Sequence, residues 1–190
     1  SFDPILNNSI EVGRSFIQKK YWRSNALDYI WQGIGAYLNQ NPHIKYLYGA
    51  VSISSNYPEL AKSLIVSYYS KWYKQDSKFA KASVEFKISE EHQDFINKTF
   101  VGNTHTEDFR KMKLALKDLG VSVPVLYRKY NDLTEYGGSG FIDFCLHPRF
   151  NNAVDGLILV DLHKLKNEIR KRYYSQKSFI NSGISPKISN

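Results

Sequence analysis

The segment from Ile10 to Leu38 contains both hydrophobic periods that specify an α/β unit, one directly after the other. Residues 10–17 alternate apolar and polar side chains apart from one Gly-Arg step, which predicts a strand with one buried face. Ser24 or Asn25 is the expected N-cap of a helix that follows. The apolar residues of that helix recur every three or four positions and predict an amphipathic helix; they are Ala26, Leu27, Ile30, Trp31, Ile34, Tyr37 and Leu38.

A polar, basic turn, residues 18–23, joins this strand to the N-cap of this helix. It contains Lys19, Lys20 and Arg23, and it ends at the first turn of the predicted helix. α/β proteins present backbone N–H groups to phosphate at such a junction, because the N-terminus of a helix has a partial positive charge. The turn is therefore a candidate anion site, with a solvated structural connection as the alternative.

The remaining residues predict further strands and helices. In chain order these are a strand at 46–53, a helix at 58–74, a short strand at 84–88, an irregular segment at 95–105, a helix at 106–119, a short helix within 121–136, a hairpin of strands at 141–146 and 154–162, and a basic helix at 164–174. Thr106 and Gly120 suit the two ends of the helix between them. We expect one α/β domain over residues 1–174 and a mobile tail at 175–190, where apolar residues are few.

Composition narrows the classes of function. The chain of 190 residues is long enough to bury one core, and no apolar run reaches the roughly 18 residues that a transmembrane helix needs. The single cysteine, Cys145, excludes an intrachain disulfide and favours a cytoplasmic protein; we interpret it as a buried apolar residue rather than a catalytic thiol. The net charge of +8 favours an acidic partner: an acidic protein, an anionic membrane surface or nucleic acid.

Several short stretches together resemble the GNAT acyltransferase superfamily. They are 11–16 (EVGRSF), Tyr21 with Arg23, 30–34 (IWQGI) and 48–54 (YGAVSIS). Within the superfamily they are most similar to the branch that holds ornithine-lipid N-acyltransferases and proteins called hemolysins, and more distantly to acyl-homoserine-lactone synthases. The similarity covers most of residues 5–174. It implies a GNAT-like α/β fold with a mixed sheet, and it allows for a domain without its N-terminal strands, because the family domain usually starts upstream of Ser1.

The resemblance also implies an activity. It implies transfer of a fatty acyl group from acyl carrier protein, or less readily from acyl-CoA, to an amine such as an amino acid, without a metal. In GNAT proteins two central strands diverge and the pantetheine arm of the donor enters between them. Gly13 and Gly49 would border that gap, although Gly49 in a strand also fits a bulge. Ser52 and Ser54 would donate to pantetheine or substrate, with a structural role as the alternative.

The basic turn is where this chain departs from most acetyltransferases. Residues 23–26 read Arg-Ser-Asn-Ala in place of a glycine-rich pyrophosphate loop, as in the relatives that use an acyl carrier protein. The resemblance therefore makes Lys19, Lys20 and Arg23 a dock for the phosphopantetheine phosphate or for the acidic carrier protein itself.

Glu11 and Arg14 are the candidate catalytic residues, because the related lactone synthases place a glutamate and an arginine in the matching strand. The attacking amine must lose a proton, and a carboxylate whose pKa is raised by burial would act as its general base. Arg14 would anchor a carboxylate or phosphate by paired hydrogen bonds, or hold Glu11 in place. The alternative is a structural ion pair on the strand.

The histidines indicate weaker candidates. Their positions show none of the close spacing that structural zinc sites use. His105 with Asp108, and His147 with Asp143, are possible acid–base pairs.

Two alternatives come from other functional classes. One is a basic module that binds a membrane surface or nucleic acid through the helix at 164–174, and it predicts steep salt dependence. The other is a GNAT-like domain without activity. Under the acyltransferase reading we expect an acyl carrier protein and an amine or lipid acceptor as partners, a cytoplasmic location with peripheral contact to an anionic inner-membrane surface as an option, and no role for nucleic acid.

Overall fold

A mixed sheet of four strands lies at the centre of the structure, a computed structural model that describes residues 3–76 and 79–174. The order across the sheet is β1 (Ser9–Glu11), β2 (Tyr46–Ile53), β4 (Ala153–Asp161), β3 (Ser139–His147). β1 runs parallel to β2, and the other pairs are antiparallel. The predicted α/β class is confirmed, and the architecture is consistent with a GNAT-like fold. The predicted tail at 175–190 lies outside the described residues.

Helices flank the sheet on the described part of the chain. They are α1 (Asp3–Leu6), α2 (Ala26–Gln40), α3 (Glu59–Trp72), α4 (Glu90–Thr99), α5 (His105–Asp118), α6 (Val125–Leu133) and α7 (Asn167–Tyr174). α2 packs on α7, α3 packs on α4, α5 and β3, and α6 packs on β3. The amphipathic helices predicted from periodicity are confirmed, with ends shifted by a few residues.

β2 is buried on one face only. Leu47, Val51 and Ile53 point into the core, whereas Ala50 and Ser52 between them are exposed. Apolar residues on both faces of 46–53 predict a strand that is buried on both sides. In the structure, Ala50 and Ser52 instead give the second half of β2 an exposed face, and the candidate site lies there.

The first predicted strand is wrong in its second half. β1 ends at Glu11, and Val12 adds one last hydrogen bond, from its N–H to Tyr48 O at 2.8 Å. Arg14 then has φ 55°, a left-handed conformation that a strand does not accommodate. Phe16 is consequently 78% exposed rather than buried on a sheet face.

Two predictions around α4 and α5 are also wrong. Residues 95–105 were expected to be irregular, but the first of them belong to α4, which ends at Thr99. Glu90 and Glu91 in the first turn of α4 interact favourably with the helix dipole. The N-cap of α5 is Thr104 rather than Thr106, since its Oγ1 accepts from the Glu107 N–H at 3.2 Å.

The short strand expected at 84–88 is reduced to one bridge. Glu85 pairs with Cys145 beside β3, and the Phe86 N–H donates to Phe144 O at 3.0 Å. The segment thus covers the outer edge of the hairpin without forming a regular strand.

α2 is held against α7 at close range. A β-carbon on Gly35 would lie 2.1 Å from Tyr173 O, so only glycine permits this approach. Asp28 accepts from the Tyr173 hydroxyl at 2.6 Å and from Arg172 Nη2 at 2.8 Å. These contacts fix the helix that forms one wall of the candidate site.

Asp108 joins α3 to α5 and is completely buried. Its carboxylate accepts from Lys71 Nζ at 2.8 Å, from Trp72 Nε1 at 3.0 Å and from the Gly102 N–H at 2.8 Å. Burial alone would raise the pKa of Asp108, but the hydrogen bonds from Lys71, Trp72 and Gly102 outweigh it and hold that pKa below its usual value.

We expect Asp108→Asn to lower the free energy of unfolding by about 2–4 kcal/mol at pH 7, because a buried network loses its charge. A carboxyl with a lowered folded-state pKa stabilises the protein above its unfolded pKa, and this contribution is lost as the pH falls through the folded value. The difference between wild type and variant in urea unfolding should therefore shrink below about pH 4.

Asp94→Asn is the matched control. Asp94 pairs with Lys98 on the surface, where the two side chains are 77% and 76% exposed. Its loss should cost less than about 1 kcal/mol. Equal losses for the two variants would contradict a special role of the Asp108 network.

Candidate functional site

The parallel pair of β1 and β2 comes apart just after it forms. Among the described residues the ladder ends at the hydrogen bond from Val12 to Tyr48 O. At this point the Val12 carbonyl lies against Gly49, where a β-carbon would be only 2.5 Å from the oxygen. The β2–β4 register runs through Gly49 without a shift, so the bulge considered from the sequence is not present. The close approach at Gly49 is made by the chain's own backbone.

A cavity of about 300 Å³ opens where the strands separate, and we call it the gap cavity. The segment after β1, strand β2 and helices α2 and α6 contribute to its wall. The lining residues include Val12, Arg14, Trp31, Ala50, Ser52 and Tyr130. Sequence reasoning missed Trp31 and Tyr130, since both belong to helix faces that periodicity assigns to the core.

The backbone of β2 turns hydrogen-bonding groups toward this cavity at Ala50 and Ser52. Tyr48 turns its carbonyl toward β1, where Val12 donates to it. Backbone groups alternate sides along a strand, so Ala50 and Ser52 turn the same way. β1 has already diverged at that level, and both residues line the gap cavity. The Ala50 and Ser52 N–H groups therefore turn toward the gap cavity.

Two buried polar side chains of the gap cavity are suited to donating hydrogen bonds. Trp31 is 5% exposed, and its Nε1 has no hydrogen-bond partner among the described residues. A buried donor without a partner is costly, by about 1–3 kcal/mol, and an acceptor on a ligand would satisfy it. Burial raises the pKa of Tyr130 to about 12, so its hydroxyl stays protonated at neutral pH and cannot act as a base.

A second cavity, of about 360 Å³, lies beside the basic turn, and we call it the turn cavity. It shares Ser15, Leu27, Ile30 and Leu126 with the gap cavity, so the two form one continuous groove. Its further lining is mostly apolar and aromatic, including Phe16, Ile17, Tyr21 and Trp22.

The basic turn itself is a short 3-10 helix, Lys19–Tyr21, followed by a capped entry into α2. Lys20 Nζ lies 4.7 Å from the centre of the Tyr21 ring. Ser24 Oγ accepts from the Ala26 N–H at 3.2 Å, whereas the side chain of Asn25, at the N-cap position, makes no capping bond. Of the two expected caps, Ser24 is the one that acts.

Two arginines of the groove have strained backbones. Arg14 has φ 55° and Arg23 has φ 65°. Arg14 lines the gap cavity and Arg23 lines the turn cavity. A left-handed conformation costs a non-glycine residue about 1 kcal/mol or more, and such residues cluster at functional sites.

Glu11 is placed differently from the sequence expectation. Its side chain is exposed and is not among the residues that line either cavity, so the burial assumed for it is wrong. It lies next to Gly13, where a β-carbon would be 2.9 Å from Glu11 Oε1. Glu11 therefore occupies the outer rim of the gap, with Arg14 in its wall.

Ser52 and Ser54 have different surroundings. The Ser52 hydroxyl donates to Asp155 Oδ1 across the β2–β4 pair at 2.5 Å. Ser54 accepts from the Asn56 N–H at 3.3 Å in the turn after β2. Asp155 was missed by sequence reasoning, because no local pattern distinguishes it from other strand residues.

Both predicted acid–base pairs are wrong. His147 Nδ1 lies 3.0 Å from Asp155 Oδ2, whereas Asp143 accepts from the Ala82 N–H at 2.7 Å. His105 stacks on Tyr136 at 5.3 Å, and Asp108 is occupied by its network with α3. Within residues 3–76 and 79–174 there is no group of three or more His, Cys, Asp and Glu side chains that would hold a metal ion.

Two curated proteins are similar to this chain, and both have the name glycine N(alpha)-acyltransferase. The protein from Bacteroides thetaiotaomicron is 28% identical over 136 residues, which are 68% of this chain and 40% of that protein. The protein from Phocaeicola vulgatus is 24% identical over 136 residues, 68% of this chain and 41% of that protein. The match thus spans about 40% of the length of the relatives.

These relatives support an acyltransferase family. They support acyl transfer to an amine in general, and neither name refers to an ornithine lipid, a hemolysin or an acyl carrier protein. No family model matches the chain, and no solved structure matches it. None of the helices on the described part of the chain is long and apolar enough to span a membrane.

We expect Gly49→Ala to destabilise the protein by about 1–3 kcal/mol, because the new methyl group meets the Val12 carbonyl and must displace backbone. Chemical denaturation measures the loss. Gly33→Ala in α2 is the control: its β-carbon has nothing within 4 Å, and the change should stabilise by up to about 1 kcal/mol. Equal stability of Gly49→Ala and wild type would show that the two strands do not approach this closely.

Proposed function

We propose that this domain binds a fatty acyl thioester in the groove and transfers the acyl group to an amine, such as the amino group of an amino acid. The divergence of β1 from β2 at Val12 and Gly49 supports this most directly, because it leaves strand N–H groups facing a cavity. The names of the relatives point to the same reaction class. The acceptor is glycine in those names and ornithine in the branch that the sequence resembles, so an amino acid or aminolipid precursor is the acceptor class.

The pantetheine arm of the donor would occupy the gap cavity. Such an arm contains amide groups, which pair with the edge of β2 as an added strand would. The Ala50 N–H would donate to the thioester oxygen and stabilise the negative charge that develops there during attack. Gly13 and Gly49 border this point of entry.

The basic turn would dock the donor's carrier. Lys19, Lys20 and Arg23 are all exposed beside the turn cavity. Acyl carrier proteins are acidic and present their phosphopantetheine phosphate at the surface, so they match both this turn and the net charge of +8. We therefore favour acyl carrier protein over CoA as the donor.

The acceptor would approach from the exposed rim of the gap. Glu11 would attract the ammonium group there and take up the proton that must leave before attack. Arg14 would bind the acceptor carboxylate by paired hydrogen bonds, which orients the amine toward the thioester. Ser52 and Ser54 lie on the same end of β2 and would contact substrate or pantetheine.

A membrane-surface module is the second candidate function. Phe16, Tyr21 and Trp22 are exposed by 78%, 49% and 64%, next to Lys19 and Lys20. Exposed aromatic and cationic side chains in one patch favour an anionic lipid surface. Such contact would also suit an enzyme with a lipid-like substrate, as in the hemolysin-type branch.

We expect the double variant Lys20→Glu, Arg23→Glu to weaken binding of long-chain acyl carrier protein by about 10-fold or more, because like charges then face each other. Titration calorimetry with acyl carrier protein and with acyl-CoA, at two salt concentrations, measures this.

Lys113→Glu with Lys117→Glu on α5 is the control, since both residues are exposed and the charge change is the same. An equal effect of both double variants would show that only net charge matters. Binding of anionic vesicles without binding of either thioester would favour the membrane module.

We expect Glu11→Gln to lower kcat for acyl transfer about 100-fold while the dissociation constant of the thioester stays unchanged, because a general base acts only on the chemical step. Steady-state kinetics with an amino-acid acceptor separates the two. A fall in thioester affinity with unchanged kcat would contradict the role of Glu11 as base.

A further inference from the structure

A chain of hydrogen bonds crosses three neighbouring strands beside the gap cavity. Ser52 on β2 donates to Asp155 Oδ1 at 2.5 Å, and Asp155 on β4 meets Nδ1 of His147 on β3 through Oδ2 at 3.0 Å. Ser52 and Asp155 are direct partners in the antiparallel register, so their side chains share one face of the sheet. We call this set the Ser52–Asp155–His147 chain.

This chain connects the cavity to solvent. Ser52 lines the gap cavity, two residues after Ala50. Asp155 is 21% exposed and His147 is 40% exposed at the side chain, and the Phe150 ring lies 4.5 Å from the imidazole. One end thus lies in the wall of the cavity where we propose acyl transfer, and the other end, at His147, is exposed to water.

The order of the groups distinguishes the chain from a nucleophilic triad. In a nucleophilic triad the imidazole lies between hydroxyl and carboxylate, takes the hydroxyl proton and activates the oxygen for attack. Here the carboxylate lies in the middle, and the hydroxyl donates to it. This order suits a proton that moves from a substrate through Ser52 to Asp155, rather than a covalent acyl-serine.

The proposed reaction requires a second proton acceptor. An ammonium group that becomes an amide nitrogen loses two protons, and only one of them is retained in the products, on the sulfur of the leaving thiol. Glu11 at the rim would receive the first proton before attack. The second leaves the nitrogen once the new C–N bond has formed and the C–S bond breaks.

We propose that Ser52 and Asp155 receive this second proton, an inference that rests on the proposed function. The acceptor N–H passes its proton to Ser52 Oγ while the Ser52 hydroxyl proton moves to Asp155 Oδ1, which then releases it to water. The leaving thiolate takes up, through water, the proton that Glu11 received, so that one proton ends on the thiol, one ends in solvent and Glu11 is again ionised. Ser52 is the catalytic residue, because it touches the substrate. Asp155 acts through Ser52, and His147 holds the Asp155 carboxylate by donating from Nδ1; both are positioning residues.

The test compares acyl transfer with thioester binding in the purified protein. Asp155→Asn and Ser52→Ala should each lower kcat about 100-fold, with little change in the thioester dissociation constant. Formate should partly restore the activity of Asp155→Ala, since it supplies a carboxylate in the vacated space. His147→Asn keeps an N–H donor near the position of Nδ1 and should retain more activity than His147→Ala.

Asp161→Asn is the matched control. Asp161 lies at the other end of β4 and also contacts a histidine, His163, with its Oδ1 3.0 Å from Nδ1. Its kcat should stay within about twofold of wild type, because it is remote from the proposed proton path.

The outcomes separate the two proposals. Full activity of both Ser52→Ala and Asp155→Asn, in a wild type that binds thioester and transfers acyl groups, overturns the proton path alone. Absence of rescue by formate, with equal losses for His147→Asn and His147→Ala and lowered thermal stability, makes the chain structural and also overturns it. A wild type that binds no thioester overturns the proposed function and the proton path together.

Discussion

The candidate site depends on the contact between the Val12 carbonyl and Gly49. A β-carbon on Gly49 would lie only 2.5 Å from the Val12 carbonyl oxygen, so only glycine lets the two strands meet at this point. The hydrogen bond from Val12 to Tyr48 closes a ladder that β1 then leaves. A parallel pair that ends so early leaves Ala50 and Ser52 of β2 exposed at the edge of the gap cavity. The groove follows from this, because the departing chain passes over α2 before it reaches the basic turn.

Two different features form the walls of the groove. One wall is a helix held by close contacts, and the other contains residues with left-handed backbone conformations. α2 is fixed to α7 through Gly35 and through Asp28, which binds Tyr173 and Arg172. The opposite wall contains the left-handed residues Arg14 and Arg23, and Arg14 lies where the chain leaves β1 and its pairing with β2. Strain of this kind persists only when neighbouring contacts hold it.

The open face of β2 combines the backbone and side-chain chemistry that acyl transfer to an amine needs. Alternation along the strand sends Val51 and Ile53 into the core and leaves Ala50 and Ser52 on the accessible face. The same alternation lets Ser52 reach Asp155. Backbone donors, a hydroxyl and a carboxylate therefore meet within one short stretch of sheet. Tyr130 in the same cavity stays protonated at neutral pH because burial raises its pKa to about 12.

The sequence by itself determined the elements that have a local pattern of apolar or charged side chains. Apolar spacing located α2 and β2, and the Lys-Lys-Tyr-Trp-Arg run located the basic turn, because periodicity and charge are local properties. The strand predicted at 10–17 is wrong in its second half. Apolar and polar residues continue to alternate there, but the positive φ of Arg14 is incompatible with a strand. Only the tertiary structure decided that Glu11 is exposed and that Ser52 meets Asp155, 103 residues away. Such contacts depend on strand order and register, and a one-residue slip would move Asp155 to the other face of the sheet.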